Sequence, residues 1–195
     1  MNNSILLRMI TTSSNSTLAQ TSSSWSISNT LTTISIIITV LGAVVALYQW
    51  YVSNKIKKAE FLHQINEKLR SDEIMVKAFY EIEYGHKWYD ESFHNGKNGW
   101  EPKIDRLFMF LNYICYLRAQ KIISENEFSI LRYCVERVCS SVEAQSYLWN
   151  LYHFSKSQGS MLSFKNLLEY AFENDLVPNE FKSEKCEYYV KRLHF

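Results

Sequence analysis

The chain has 195 residues, with 21 basic and 20 acidic side chains and a formal net charge of +1. Only five glycines and two prolines interrupt it, a composition that favours an all-α fold over a turn-rich β fold. A near-neutral charge without a basic stripe argues against nucleic acid as the main ligand, so nucleic acid is not expected as a partner.

The N-terminal segment 1–26 is rich in Ser, Thr and Asn, and Arg8 is its only charged side chain. Low hydrophobicity without turn-forming residues gives no signal for regular structure. We therefore predict a disordered tail over this segment.

The segment 27–52 is predicted to be a transmembrane helix. Residues 31–52 carry no charge, and about 20 mostly apolar residues suffice to cross the hydrocarbon core of a bilayer. At about 1.5 Å per residue, Trp25 and Trp50 would lie roughly 37 Å apart, near the two headgroup regions. A buried core helix and a cleaved signal peptide are the alternatives. The charge-free length disfavours the first, and the absence of an adjoining basic region and of an A-x-A site disfavours the second.

Lysines immediately after the span predict its orientation. Positive flanks stay in the cytoplasm, so the N-terminus is expected outside and everything after Ser53 inside. The four cysteines fall on this cytoplasmic side, where free thiols are expected. The bilayer is one predicted partner, and the residues expected at its interface are Trp25, Tyr48, Trp50, Tyr51, Lys55, Lys57 and Lys58.

Gly42 and Ala46 form a small-xxx-small pair within the span. Such pairs let two membrane helices approach closely, so a homodimer through this face is a further partner hypothesis.

Beyond the span, apolar residues continue at three- and four-residue steps, which predicts an amphipathic stalk helix over 53–70. Segment 71–177 is predicted to be a compact cytoplasmic bundle of about five helices. Segment 178–195 is predicted to be a tail, with a short docked helix around 184–193. The stalk stripe consists of Ile56, Ala59, Leu62, Ile65 and Leu69.

Local signals predict where the helices of the bundle begin and end. Ser124 to Glu127 forms a capping box, the clearest of these signals, with Ile123 and Phe128 placed as its hydrophobic staple. The other predicted starts are Ser71, Pro102, Ser141 and Ser163, and the predicted stops are Gly85, Gln120, Gly159 and Asn174.

Residues 86–100 form the one long irregular connection. Loops of this length are uncommon unless they are functional or disordered, and so many large aromatic residues argue against disorder. Three interpretations are open: an aromatic lid packed on the helices, a binding surface, and a divalent-metal site. Packing is favoured, because these ligand types without a recognised spacing indicate a metal only weakly. The candidate binding residues are His86, Trp88, Tyr89, Asp90, Phe93, His94 and Trp100.

No motif for nucleophilic catalysis and no phosphate-binding glycine loop is present, so no catalytic residue, cofactor or metal is assigned. Cys134 and Cys139 lack the C-x-x-C spacing of zinc and redox sites, which favours core packing. The enzymatic alternative is a membrane-tethered, metal-dependent hydrolase or nuclease. It would use the acidic and histidine residues of segment 81–94, with Glu83, His86, Asp90 and His94 as candidates.

The order of features resembles a group of poorly characterised bacterial proteins with one N-terminal membrane helix and a small all-helical cytoplasmic domain. Some members are labelled domains of unknown function, and others phage abortive-infection proteins. The resemblance implies an inner-membrane location and a role in phage defence. The matching stretches are Ser71-Asp72-Glu73, Ile82-Glu83-Tyr84-Gly85, Glu101-Pro102-Lys103-Ile104-Asp105 and Ile122-Ile123-Ser124.

The leading hypothesis is therefore a single-pass protein of the bacterial inner membrane. Its cytoplasmic helical domain would bind an unknown protein partner, in phage defence or stress sensing. The alternatives are the tethered hydrolase and a structural scaffold that dimerises through the membrane helix.

Overall fold

The computed structural model describes the backbone of residues 4–96, 99–186 and 188–189, and the side chains of these ranges from Ile27 onward. Within them all regular structure is helical and no strand occurs, so the all-α prediction is confirmed. The helices are α1 (Ser4–Ser71), α2 (Glu73–Glu83), α3 (Glu101–Ala119), α4 (Glu125–Cys139), α5 (Val142–Ser157), α6 (Lys165–Glu173) and a 3-10 helix (Asn179–Lys182).

The chain divides into two compact units, Met1–Ala59 and Glu60–Phe195. In the first, α1 already begins at Ser4, inside the segment 1–26 that was predicted to be disordered. Helix formation is cooperative, and no glycine or proline blocks its extension backwards from the apolar stretch.

One helix of the described residues has the length and apolar composition of a membrane span, and none of its most apolar window is buried by protein. An N-terminal signal sequence has the same two properties. Tyr48, Trp50 and Tyr51 are all more than half exposed, and the Lys55 Nζ lies 5.5 Å from the centre of the Tyr51 ring. The side chain of Trp25 lies outside the described residues.

The last turns of α1 belong to the second unit, which is called the helical body below. Ile65 and Leu69 are buried in its core, and Phe61 and Leu62 pack against them. The C-terminal end of the predicted stalk stripe thus packs against the other helices of this unit.

Helix α2 starts one residue later than predicted. Asp72, not Ser71, is the N-cap, and its carboxylate accepts hydrogen bonds from the backbone N–H groups of Ile74 and Met75. The positive end of the helix dipole also attracts a negative carboxylate at this position. Asp72 is therefore a better cap here than the neutral hydroxyl of Ser71. The predicted stop is confirmed, because Gly85 adopts a left-handed φ of 69° just after the helix.

The capping box of α4 is confirmed, with Ser124 and Glu127 each bonding to the other's backbone N–H. Helix α6 also starts one residue later than predicted, because Ser163 is not its N-cap. Phe164 occupies the N-cap position in a left-handed conformation with φ 52°, and the helix runs from Lys165. A hydroxyl cap is absent there, and the Phe164 ring packs edge-on against Phe108, 5.6 Å away between ring centres.

The core lies between α2, α3, α4, α5 and α6. Apolar residues at helical spacing predict a buried stripe on α3 and another on α4, and every residue of both stripes is buried. They are Ile104, Leu107, Phe108, Leu111, Ile114 and Leu117 of α3, and Phe128, Leu131, Val135 and Val138 of α4. The chain after α6 packs on the same core, since Phe181, Cys186 and Tyr189 are buried. The described positions 184–186 and 188–189 are not helical, and the rest of the predicted helix around 184–193 lies outside the described residues.

Candidate functional site

The aromatic side chains of the 86–100 loop turn inward. Trp88, Tyr89 and Phe93 are almost completely buried. They surround Tyr147 of α5, and the ring centre of Phe93 lies 4.8 Å from that of Tyr147. Three of the candidate binding residues therefore form part of the core, as expected for an aromatic lid packed on the helices.

The polar residues of the loop bind local partners. His86 lies 2.8 Å from the Glu81 carboxylate, and His94 lies 3.1 Å from that of Glu101. Asp90 accepts hydrogen bonds from the backbone N–H and the hydroxyl of Ser92. Throughout the described part of the chain, no group of three or more His, Cys, Asp or Glu side chains is placed to hold a metal ion.

Trp100 ends the loop at the start of α3 and is half-buried. The Lys103 Nζ lies 4.6 Å from its ring centre, and the Lys77 Nζ lies 5.6 Å from it. Ammonium groups at these distances are attracted to the negative face of the indole ring, so the two lysines help to hold Trp100 in position. Of the candidate binding residues, Trp100 is the large ring that remains partly accessible.

A part-buried acid–phenol pair holds Tyr147, the residue that the loop's rings surround, in place. The Tyr147 hydroxyl donates to Asp105 Oδ1 at 2.7 Å. Burial raises the pKa of Asp105, although the hydrogen bond from Tyr147 opposes the shift, and burial also raises the pKa of Tyr147. With the tyrosine hydroxyl protonated, the pair acts as a positioning contact beneath the aromatic lid.

A more open site lies elsewhere, where the end of α1 meets α2 and α4. A groove of about 430 Å³ runs between these helices, hereafter the α1/α2/α4 groove. Buried Leu69 and Leu131 form its floor. Its walls are Phe79 and Tyr80 of α2 and Ile130 of α4, and the last two remain 50% and 58% exposed. Large apolar side chains left this accessible around a concavity are typical of interaction sites.

The groove contains one cation and one thiol. Arg70 lies on its rim, and its Nε donates to Asn66 Oδ1 at 3.3 Å. Burial raises the pKa of Cys134, although the positive charge of Arg70 opposes the shift. The Cys134 thiol is therefore protonated at neutral pH, so it is a poor nucleophile and contributes mainly apolar surface. The other three cysteines are also free, and burial raises the pKa of Cys115 to about 12.

Contacts beside the groove fix the spacing of two of its helices. Glu83 at the end of α2 accepts a hydrogen bond from the Tyr133 hydroxyl at 2.5 Å. It also pairs with Arg137 Nε at 2.8 Å. These contacts lower the pKa of Glu83, the hydrogen bond from Tyr133 most strongly. Because both partners lie on α4, the three residues hold α2 against α4 with the groove open.

Sequence reasoning missed this groove. Tyr80, Ile130 and Tyr133 lie off the buried stripes of their helices, at positions where a solvated helix carries polar residues. Apolar residues on the polar face were the available signal. A smaller hollow of about 310 Å³ is lined by residues of α1, α2 and α3, among them Lys68, Arg106 and Met109.

No protein-family model, no curated protein and no solved structure matches the chain. The resemblance to membrane-anchored phage-defence proteins therefore stays a prediction.

Proposed function

We propose that the chain is a membrane-anchored protein-interaction domain. Segment 27–52 crosses the inner membrane, and the helical body binds a partner protein on the cytoplasmic side. The observation that carries the proposal is the row of exposed aliphatic residues on α1. Its most apolar window has a mean hydropathy of 2.3 and no buried residue. In water such a surface is unfavourable, whereas a hydrocarbon core accommodates it without cost.

The body supports the binding half of the proposal. Its accessible apolar surface includes the α1/α2/α4 groove, whereas His86, Asp90 and His94 of the loop are engaged with neighbours. Large apolar side chains left accessible around a concavity are typical of binding, which is the activity that this surface supports best.

Membrane extraction tests the anchor. The full-length protein, produced in a bacterial host, is expected in the membrane pellet after an alkaline carbonate wash, and intact mass measurement should show an uncleaved chain. The double substitution Ile37→Lys with Leu41→Lys should release it, because each central lysine costs about 2.5–3.5 kcal/mol on insertion. Asn54→Lys, beside the native lysines, is the matched control and should stay in the pellet. A soluble wild-type chain, or a processed one lacking the apolar segment, would contradict the anchor.

A further inference from the structure

We infer that the α1/α2/α4 groove binds an amphipathic helical peptide segment of a partner protein, with an acidic side chain placed against Arg70. The inference deepens the proposed function and rests on its binding half alone.

The walls of the groove present rows of side chains suited to a helix. On α2, Val76 and Tyr80 are four residues apart, and on α4, Ile130 and Cys134 have the same spacing. Side chains four apart form ridges along a helix, and two helices pack by placing ridges of one in the grooves of the other. A third helix with aliphatic residues at three- and four-residue steps fits between these two ridges, as in other helix-in-groove complexes.

Charge selects the polar part of the segment. Arg70 is exposed, and its Nε donates to the neutral side-chain amide of Asn66. Among the described residues no carboxylate lies within ion-pair distance of it, whereas Arg106, Arg118, Arg132 and Arg137 each have at least one. A guanidinium beside an apolar groove is complementary to an aliphatic segment that carries Asp or Glu.

The groove is held open before any partner arrives. Glu83, Tyr133 and Arg137 join α2 to α4 next to it, and Leu69 and Leu131 fix the floor within the core. A preformed surface spends little binding free energy on ordering its own side chains. Tyr80 and Ile130 are the exposed anchors expected to contribute most on binding, since hot spots favour large side chains in central positions.

Selection from a displayed library of random twelve-residue peptides tests the inference on full-length protein in detergent. The wild-type protein is expected to enrich peptides with aliphatic residues at helical spacing and an Asp or Glu. Arg70→Glu should enrich Lys or Arg at that position instead, and should bind the wild-type consensus peptide at least tenfold more weakly. Ile130→Asp should abolish enrichment. Val142→Asp replaces a side chain of similar exposure at the start of α5 and should leave the consensus unchanged.

Circular dichroism establishes that each variant is folded, and Tyr80→Glu replaces Ile130→Asp if that variant is not. A consensus that Arg70→Glu leaves unaltered, or equal loss in Val142→Asp, would overturn the inference. So would an absence of enrichment, or a concentration-dependent self-association that Ile130→Asp abolishes, which would make the occupant a second copy. Because the measurement is made in detergent, its failure leaves the membrane anchor standing, and failure of the anchor leaves the peptide result standing.

Discussion

Arg118 joins three helices. The substitution Arg118→Met should therefore lower the free energy of unfolding by an amount that follows from the contacts of the guanidinium. The Arg118 guanidinium lies 2.7 Å from Glu125 of α4 and 3.1 Å from Glu173 of α6. It also lies 5.5 Å and 5.0 Å from the ring centres of Phe128 and Tyr170. Met keeps an unbranched apolar stem and has a helix propensity close to that of Arg, so the charge-dependent contacts are what the substitution removes.

The magnitude follows from the exposure of each contact. Both carboxylates are more than half exposed, so each ion pair contributes about 0.2–1 kcal/mol. Each cation–π contact contributes about 0.5–1 kcal/mol. One guanidinium serves all four contacts, so they overlap, and we expect a loss of about 2 kcal/mol. For a domain of this size that corresponds to a Tm lower by roughly 6–10 °C.

Urea unfolding followed by tryptophan fluorescence measures this loss, because buried Trp88 and Trp149 report on the body. Arg132→Met is the matched control. The Arg132 guanidinium pairs with Glu125 at 3.1 Å and lies 5.9 Å from the Phe128 ring, and its side chain is 44% exposed. A loss of about 0.5 kcal/mol is expected there. Equal losses in the two variants would refute the assignment of Arg118 as the residue that joins the helices.

The same unfolding assay checks three further predictions. Gly99→Ala should cost more than Gly85→Ala: at Gly85 the cost is that of the left-handed backbone alone, about 1–2 kcal/mol, whereas at Gly99 the new Cβ would collide with the Phe93 carbonyl oxygen and force the backbone to shift. Phe93→Ala should cost about 3–5 kcal/mol if the loop is a packed lid, and a loss below 1 kcal/mol would contradict that packing. Glu83→Gln and Asp105→Asn should respond to pH with opposite signs. The lowered pKa of Glu83 stabilises the fold above the unfolded pKa of about 4.3, and this stability is lost as pH falls through the folded pKa. Glu83→Gln should therefore have a lower free energy of unfolding than wild type at neutral pH and the same free energy of unfolding in acid. The raised pKa of Asp105 stabilises the fold below the unfolded pKa of about 3.9, and this stability is lost as pH rises through the folded pKa. Asp105→Asn should therefore have a higher free energy of unfolding than wild type at neutral pH. Stability differences that do not change with pH in both variants would contradict the two assignments.

Local signals predicted much of the fold because their physical causes are local. The capping box at Ser124 and the left-handed glycines Gly85 and Gly159 depend on a few neighbouring residues. The stripe of α3 depends only on helical periodicity. The misplaced starts had a different cause: Asp72 competed with Ser71 for the same donors, and Phe164 adopts an unusual backbone conformation beside the Phe108 ring.

The candidate site was less predictable because it depends on which helices meet. Histidines and aromatic residues drew attention to the 86–100 loop, yet its rings are buried around Tyr147, a residue far away in the sequence. The α1/α2/α4 groove combines residues from three helices. No spacing in the sequence predicts that Arg70 and Ile130 border the same groove. Only the exposed apolar residues on otherwise polar faces pointed to it.

Labelling of single cysteines with a membrane-impermeant maleimide tests whether α1 spans the membrane with the helical body on the cytoplasmic side. Asn3→Cys and Glu91→Cys are each placed in the full-length chain with Cys134→Ser, since Cys134 is the one native thiol among the described residues that is not buried. In intact spheroplasts we expect labelling at position 3 and none at position 91, with position 91 labelled after lysis. Labelling at position 91 in intact spheroplasts would contradict a cytoplasmic body on a membrane-spanning α1.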